Sequence, residues 1–225
     1  MHRHDTIALK SVKSICGKSL EEFEAELMNM LEEFLAFWEK GGLDRELGGV
    51  MCELNDDGSV YSSEKILTYQ ARAIWVYSFL YNNFGKDDKW LNIAEKCRDF
   101  MVKYMYAGGG KWHNKVSRSG GVISFASLDV FAGLFAAAGL IQLYKANGKT
   151  EDLELAKKSI YTALREYNSR QYEGVVIEVD FPGKIDTIGL RSQGHSMVIV
   201  WLLTELLEFE NDAKLEKIQA KHVEY

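Results

Sequence analysis

Two kinds of helix alternate along the chain, and this alternation restricts the folds that it can adopt. The first kind has apolar residues at three- and four-residue spacing, which predicts an amphipathic helix with one buried stripe. The second kind is apolar around most of its circumference. Because such a helix must be covered on all sides, we predict an inner layer of apolar helices and an outer layer of amphipathic ones.

The expected helices follow one another in that order. The amphipathic helices are predicted at about 20–38, 88–105 and 151–167, with a further polar one from about 212 to 221. The apolar helices are predicted at about 68–84, 125–145 and 194–209. The inner helices thus begin at intervals of about 60 residues, which leaves room for structured connections.

The connections contain short strand-forming runs around turn residues, which is typical of β-hairpins. They lie at 48–63, 108–122 and 174–185. Helix pairs in two rings with such loops describe an all-α fold, the α/α toroid of the (α/α)6-barrel type. Such a ring usually has six helix pairs, so we expect roughly its first half here. We predict a flexible N-terminal tail at 1–18 and one partial toroid domain of six to seven helices at 19–225.

Charge and composition exclude several classes of partner. The net charge is −6, from 27 basic and 33 acidic residues that are well mixed. We therefore expect neither nucleic acid nor a membrane as a partner. The apolar run is unbroken only over 130–141, shorter than the roughly 20 residues of a spanning helix, which indicates a buried helix. Three widely spaced cysteines and an N-terminal segment without an apolar core predict a cytoplasmic protein.

Each predicted inner helix has one polar or ionisable residue near its N-terminal end: Arg72, Asp129 and His195. If the inner helices run parallel, these residues lie at one mouth of the ring, where a few polar groups among apolar walls are typical of a small-molecule site. Other roles remain open. Arg72 could pair with Glu64, Asp129 could cap its helix, and His195 could be a hydrogen-bonded core histidine. No metal, phosphate or dinucleotide motif occurs, and we expect no metal and no cofactor.

The stretch around the first inner helix has a distinctive order of residues. It contains Phe37 and Trp38, Leu-Asp-x-Glu-x-Gly-Gly at 43–49, a hairpin with Gly58, Val60 and Tyr61, then Lys65, Gln70, Ala71, Arg72 and Trp75. This order and spacing resemble those of the N-acylglucosamine 2-epimerase family. The segments SLDVFAGLFAAAGLIQLYKANGKTEDLELAKK and RSQGHSMVIVWLL resemble later helices of the same family. The resemblance covers about residues 20–210.

The resemblance implies an α/α toroid that acts on a sugar. Members of the family invert C2 of N-acylglucosamine or N-acylmannosamine, epimerise glucose- and mannose-type sugars, or isomerise aldoses to ketoses. It implies that Arg72 contacts the substrate near the reacting carbonyl, where a fixed guanidinium stabilises an enediolate. Tyr69, Asp129 and His195 are expected to line the same sugar site. Histidine is the residue type whose pKa suits transfer of the C2 proton.

The chain departs from the family in its second half. One of the family's two catalytic histidines stands in a Gly-His-x-x-Glu pattern, which Gly194 and His195 imitate, but Val198 replaces the glutamate. We therefore align this segment with an earlier inner helix, with Met197 where N-acylglucosamine-type members carry Met. Neither catalytic histidine is then expected in this chain. Full members have about twelve helices.

Three hypotheses follow for a half ring. The first is a sugar 2-epimerase without its C-terminal catalytic histidines, completed as a homodimer or by a complementary C-terminal half that covers the exposed apolar faces. The second is a non-catalytic half-barrel that binds a sugar or a partner. The third is a toroid glycoside hydrolase or lyase, for which Asp44 and Asp129 are the candidate carboxylates, although nothing in their spacing indicates that they converge.

Overall fold

The structure, a computed structural model, describes residues 12–126, 130–172 and 188–224. These residues form seven helices: α1 (Leu20–Gly41), α2 (Leu67–Asn83), α3 (Asp88–Met105), α4 (Val130–Asn147), α5 (Thr150–Tyr167), α6 (Gln193–Leu206) and α7 (Ala213–Val223). The strands are β1 (Ser14–Ile15), β2 (Lys18–Ser19), β3 (Glu53–Leu54), β4 (Val60–Ser62), β5 (Lys65–Ile66), β6 (Tyr106–Gly108), β7 (Lys111–Val116) and β8 (Val122–Ala126). The mainly helical fold predicted from the sequence is confirmed.

The inner helices α2, α4 and α6 lie side by side and run parallel. Near their N-terminal ends, the Phe131 ring of α4 stacks on His195 of α6 with centroids 4.3 Å apart. Arg72 of α2 lies over the ring of Phe135, one turn further along α4. Nearer the C-terminal ends, the Asn82 side chain donates to the carbonyl of Gln142 at 3.3 Å. In these contacts, residues early in one helix face residues early in the next, and late residues face late residues. The N-termini of the three helices therefore lie at the same end of the layer.

The central position of α4 accounts for its apolar composition. By length and composition alone α4 could cross a membrane, but 67% of it is buried inside the fold. A Cβ added at Gly139 would lie 2.6 Å from the carbonyl oxygen of Ala71, so α2 and α4 approach as closely as they do only because this residue has no side chain. Burial among neighbouring helices therefore requires the small and apolar residues of α4.

The outer helices α3, α5 and α7 cover one face of the inner layer. α3 packs on α2 and α4, α5 packs on α4, and α7 packs on α6. Two polar contacts hold α7: Ser196 Oγ lies 3.0 Å from His222 Nδ1, and the Tyr161 hydroxyl donates to Asp212. The predicted alternation of inner and outer helices is confirmed, and the described residues form part of a toroid rather than a closed ring.

Helix α1 lies at one end of the outer layer and is only partly covered. Leu31 and Leu35 pack against the core, but none of its residues is fully buried. An ion pair between Lys89 of α3 and Glu39, at 2.9 Å, joins it to the next outer helix. One side of α1 packs on the fold and another side faces outward.

Short strands occupy the connections. β3 pairs antiparallel with β4, which confirms the hairpin expected at 48–63. β7 pairs antiparallel with β5, β6 and β8, so the segment at 108–122 joins a four-stranded sheet. The sequence predicts the fourth helix from about 125, but β8 continues to Ala126 because these residues pair with β7.

Two further predictions concern the ends of these segments. The strand pair expected at 174–185 lies outside the described residues. The hairpin of β1 and β2 begins at Ser14, inside the segment predicted to be a tail. The flexible tail and the domain limits of 1–18 and 19–225 stay predictions.

A buried ion pair fixes the loop before α2 against the sheet. The side chains of Lys65 and Asp44 are fully buried, and Lys65 Nζ lies 2.9 Å from Asp44 Oδ2. The ammonium also donates to the carbonyl of Gly48 at 2.6 Å and lies 3.8 Å from the ring centroid of Phe100. Burial raises the pKa of Asp44, but hydrogen bonds from Arg118 and Lys65 outweigh it and hold that pKa well below its usual range.

Gln70 attaches the same loop to α2. Its side-chain amide accepts from the backbone N–H of Val50 and donates to the Val50 carbonyl, both at 2.7 Å. Gly49 has a φ of +76°, and a Cβ there would lie 2.6 Å from Gln70 Oε1. The backbone conformation and the close approach therefore both require glycine. These residues belong to the motif quoted above, and in the structure they position the N-terminal end of α2.

Removal of one partner of the buried ion pair is expected to destabilise the fold strongly. In Asp44→Asn the Lys65 ammonium stays buried without its counterion, which should lower the free energy of unfolding by about 3–5 kcal/mol. Urea denaturation followed by circular dichroism measures the change. Glu46→Gln is the matched control, because Glu46 bonds Arg118 from an exposed position and should contribute less than about 1 kcal/mol. Equal midpoints for the two variants would contradict this role of the pair.

The same carboxylate should make stability depend on pH on the acid side. Because the folded pKa of Asp44 lies below its unfolded value of about 4, its contribution is complete above about pH 4 and is lost as the pH falls further. The stability difference between the wild type and Asp44→Asn should therefore shrink below about pH 4. Denaturation midpoints of both proteins across this range test the expectation, and a constant difference would exclude the carboxylate as the stabilising group.

Candidate functional site

Aromatic residues of all three inner helices meet on one face of the layer. The ring centroids of Trp75 on α2 and Trp201 on α6 are 6.0 Å apart, and Trp201 lies 6.3 Å from Phe135 on α4. Since α4 lies between α2 and α6, residues of these two helices can meet only across a face of α4. The outer helices cover the opposite face, so the aromatic residues line the concave, inward face of the toroid.

Arg72 lies on this concave face near the N-terminal end of α2. Its side chain is exposed, and the guanidinium carbon lies 4.7 Å from the ring centroid of Phe135. It makes no hydrogen bond or ion pair with the part of the chain that the structure describes, and Glu64, the alternative partner, pairs with Lys115. A planar fork of five N–H donors held against an aromatic ring is therefore available to an oxygen-rich ligand.

Tyr69, one turn before Arg72, faces a groove between α1 and α2. The groove has a volume of about 210 Å³ and almost entirely apolar walls, to which Trp38, Tyr69, Arg72 and Val76 contribute. The Tyr69 side chain is 43% exposed. The structure thus brings Tyr69 and Arg72 together, with Tyr69 on the side of α2 that faces α1.

The side chain of Glu205 on α6 contacts side chains of all three inner helices. Its Oε1 accepts from the indole N–H of Trp201 at 2.7 Å and from that of Trp75 at 3.4 Å. Its Oε2 lies 3.8 Å from the Lys145 ammonium of α4. One carboxylate therefore fixes the orientation of both tryptophans and binds a cation of the helix between them.

His195 is buried between α4, α5 and α6, with only 2% of its surface exposed. Its Nδ1 accepts from the backbone N–H of Ser192 at 3.2 Å and lies 2.8 Å from the Ser192 hydroxyl. The neutral ring therefore carries its proton on Nε2, which lies 2.7 Å from the Tyr172 hydroxyl. Both ring nitrogens are engaged and the ring is stacked on Phe131, so a sugar could reach His195 only if these neighbours moved.

Two aspartates of the sequence hypotheses have different outcomes. Asp129 lies outside the described residues, so its contact with the substrate stays a prediction. Both carboxylate oxygens of Asp44 are occupied by bonds from Lys65 and Arg118 inside the fold. Asp44 is therefore not available as one of the two carboxylates of a hydrolase.

Sequence reasoning did not identify the aromatic face or the role of Glu205. Signals for both are present: Trp75 follows Arg72 by three residues and so shares its side of α2, and Glu205 follows Trp201 by four. Glu205 is also the one acidic residue of α6. Met197, which the alignment singles out, is 64% exposed on the same helix.

This arrangement can bind a small polyhydroxylated molecule. The Arg72 guanidinium supplies hydrogen-bond donors. The neighbouring rings of Trp75, Phe135 and Trp201 offer flat apolar surface. The concave face combines these groups, whereas His195, the histidine of the inner helices, is buried. The face can therefore bind and stabilise negative charge.

Comparison with known proteins identifies a sugar-epimerase family. The family model of N-acylglucosamine 2-epimerase matches residues 48–198. The N-acylglucosamine 2-epimerases of Mus musculus and Homo sapiens are 25% and 24% identical to this chain over 152 residues. These alignments cover 64% of this chain but 36% and 35% of the two relatives, so the chain spans about a third of the length of the curated relatives that it matches.

Solved structures share the fold over nearly the whole chain. Cellobiose 2-epimerase from Bacillus thermoamylovorans superposes with a TM-score of 0.75 at 21% identity, and that from Spirochaeta thermophila with 0.71 at 20%. The matches cover 91% and 90% of this chain but 55% and 52% of those chains. A D-mannose isomerase superposes with a TM-score of 0.61 at 17% identity. The fold is an α/α toroid, of which this chain spans about half.

Loss of the Glu205 carboxylate is expected to release both indole groups. Glu205→Ala should lower the free energy of unfolding by about 1–3 kcal/mol, because two half-buried N–H donors lose their acceptor. It should also change the fluorescence of two of the five tryptophans. Glu208→Ala is the control, since Glu208 also pairs with Lys145, at 2.9 Å, but is 56% exposed. Identical emission spectra for the two variants would contradict the proposed orientation of the tryptophans.

Proposed function

This chain belongs to the N-acylglucosamine 2-epimerase family, and on that basis we propose that its concave face binds an open-chain aldose for deprotonation at C2. The observation that most supports the proposal is the exposed Arg72 guanidinium, held against Phe135 without an acidic partner among the described residues. The names of the matched relatives refer to N-acylglucosamine, cellobiose and mannose, which supports a sugar as the substrate class.

The proposed role of Arg72 follows from the chemistry of C2 inversion. A base removes the C2 proton, the C–H electron pair forms a C1–C2 double bond, and the carbonyl electrons move onto O1. Arg72 donates hydrogen bonds to this oxygen and stabilises the enediolate more than the neutral aldehyde. Return of a proton to the opposite face of C2 gives the epimer, whereas transfer of the O2 proton to O1 followed by protonation at C1 gives the ketose.

The aromatic face is proposed to bind the carbon skeleton of the sugar. The C–H groups of a sugar form apolar patches that lie well against flat rings, and Trp75, Phe135 and Trp201 present such rings beside Arg72. Glu205 keeps the two indoles in position through their N–H groups. We expect Glu205 to act as a positioning residue that does not itself touch the reacting atoms.

Proton transfer is proposed to need groups beyond this half of the ring. Epimerisation requires a base on each face of C2, and histidine is the residue type with a suitable pKa. His195 is buried with both nitrogens engaged. We therefore propose that the two proton-transfer groups come from the remaining half of the toroid, and that a chain without that half binds sugar without turnover.

Sugar binding without turnover is also the alternative function. A non-catalytic sugar-binding half-barrel is favoured by one observation: His195, the histidine of the inner helices, is buried with both ring nitrogens engaged. The same residues would bind the ligand in both cases. Exchange at C2 distinguishes a catalytic site from a binding site.

The first experiment measures binding and exchange in the same samples. N-Acetylmannosamine, N-acetylglucosamine, mannose and glucose are incubated in heavy water with the chain, and proton NMR records saturation transfer to each sugar and loss of its C2 proton signal. Saturation transfer with exchange supports the epimerase, and saturation transfer without exchange supports the binding half-barrel. A chain that gives neither signal with any of the four sugars would refute sugar as the ligand.

Arg72 variants test the proposed contact. Arg72→Ala should weaken saturation transfer, and where exchange occurs it should slow it by about a hundredfold to a thousandfold, the effect of losing one donor to an oxyanion. Arg72→Lys should recover only part of this, because it keeps the charge but loses the planar fork. Arg165→Ala, at an exposed position on the outer helix α5, is the control and should match the wild type. If Arg72→Ala also gave the saturation transfer and exchange of the wild type, the proposed contact would be excluded.

A further inference from the structure

We propose that a basic cavity on the outer side of α6 binds the phosphate group of a small phosphorylated molecule. The cavity lies where the C-terminal ends of α5 and α7 meet the N-terminal end of α6, and its volume is about 310 Å³. Its walls include Tyr167, Arg191, Ser196, Lys221 and His222. None of the residues assigned to the concave face lines it, so this binding is independent of the proposed function.

The charge of the cavity wall is positive. Arg191 and Lys221 both line the cavity, and no acidic residue does among the residues that the structure describes. Neither cation forms an ion pair within the described ranges. The whole chain has a net charge of −6, so two cations beside one cavity without an acidic neighbour depart from the average of its surface. Such a cavity attracts anions.

The guanidinium of Arg191 is held in place with donors to spare. Its carbon lies 4.5 Å from the ring centroid of Tyr172 and 4.8 Å from that of Tyr167. Two of its N–H groups donate to the carbonyls of Ser169, at 3.0 Å, and Leu190, at 3.3 Å. A guanidinium has five N–H donors, so three remain for a ligand. A fixed fork of this kind is suited to the oxygens of a phosphate.

The position of Arg191 in the chain also indicates an anion. It stands directly before Ser192, the N-cap residue of α6, and the first turn of α6 contains no acidic residue. The positive end of a helix dipole disfavours a cation, so Arg191 repels this end of α6 until an anion lies between them. Lys221 differs, because it lies in the last turn of α7, where a cation is favourable without a ligand.

The number of charges and the size of the cavity favour a phosphate monoester. Two unpaired cations balance the charge of such a group, which is about −1.5 to −2 at neutral pH. His222 is only 8% exposed, with Nδ1 3.0 Å from Ser196 Oγ. Burial and the nearby Lys221 lower its pKa, so it adds polarity to the wall and no third charge at neutral pH. A cavity of about 310 Å³ also has room for an organic group.

The test measures binding of two phosphates in the absence of any sugar, so its outcome is separate from that of the proposed function. Isothermal titration calorimetry is performed on the purified chain with inorganic phosphate and with glycerol 3-phosphate, at constant ionic strength because salt screens the attraction. Glycerol is the uncharged control. We expect both phosphates to bind at one site per chain, glycerol 3-phosphate more tightly, and glycerol not to bind.

A matched pair of variants assigns the binding to the cavity. Lys221→Ala should weaken the binding of glycerol 3-phosphate about tenfold or more, the usual effect of losing one hydrogen bond between charged groups. Lys217→Ala removes the same charge from an exposed position one turn earlier on α7, outside the cavity, and should leave the affinity unchanged within about twofold.

Arg191→Ala should weaken binding at least as much as Lys221→Ala does, because it removes the fixed fork. Arg191 also packs against two tyrosines, so circular dichroism is needed to show that this variant folds. The exposed Lys221 has no such packing role, and its variant provides the test even if Arg191→Ala does not fold.

Three outcomes would overturn the proposal. One is that neither phosphate binds. Another is binding of inorganic phosphate without glycerol 3-phosphate, because the ligand would then be the free ion. The third is an equal effect of Lys221→Ala and Lys217→Ala, since the attraction would then come from the general charge of α7 and not from the cavity.

Discussion

The buried contact between Lys65 and Asp44 fixes where α2 begins, and the concave face depends on that start. No side chain caps α2, whose N-cap residue is Ile66. The helix start is instead held by β5, which runs directly into it, by the ammonium of Lys65 inside the loop, and by the Gln70 amide on Val50. Arg72 follows within two turns, so its position on the concave face is set by contacts that lie behind the helix.

This arrangement changes what the family motif means for function. Asp44, Gly49, Lys65 and Gln70 account for much of the resemblance, and their contacts are with the fold. A buried ion pair needs both partners and a fixed geometry, because either charge alone is costly to bury. Of the motif, only Arg72 reaches the concave face with donors that no described residue uses.

The sequence was sufficient to predict the inner and outer layers of helices, but it was insufficient to predict the side-chain contacts between helices. Apolar periodicity depends on which side of a helix is covered, so the inner position of α4 and the amphipathic outer helices could be predicted from local pattern. The edge-on contact of Trp75 with Trp201 joins residues far apart in the chain, and it depends on how three helices are spaced. The burial of His195 likewise depends on Tyr172 and Phe131, which no motif connects to it. Local pattern therefore predicted the inner and outer layers of helices but not the side chains that meet on the concave face.

The parallel inner helices have an electrostatic consequence. Each of the outer helices α1, α3, α5 and α7 has an acidic residue in its first turn, which offsets the positive end of its dipole. None of the inner helices α2, α4 and α6 has one. Three helix dipoles thus point their positive ends at the mouth where Arg72 lies, each equivalent to about half an elementary charge. The backbone itself therefore adds positive potential at this end of the inner layer, independently of any side chain.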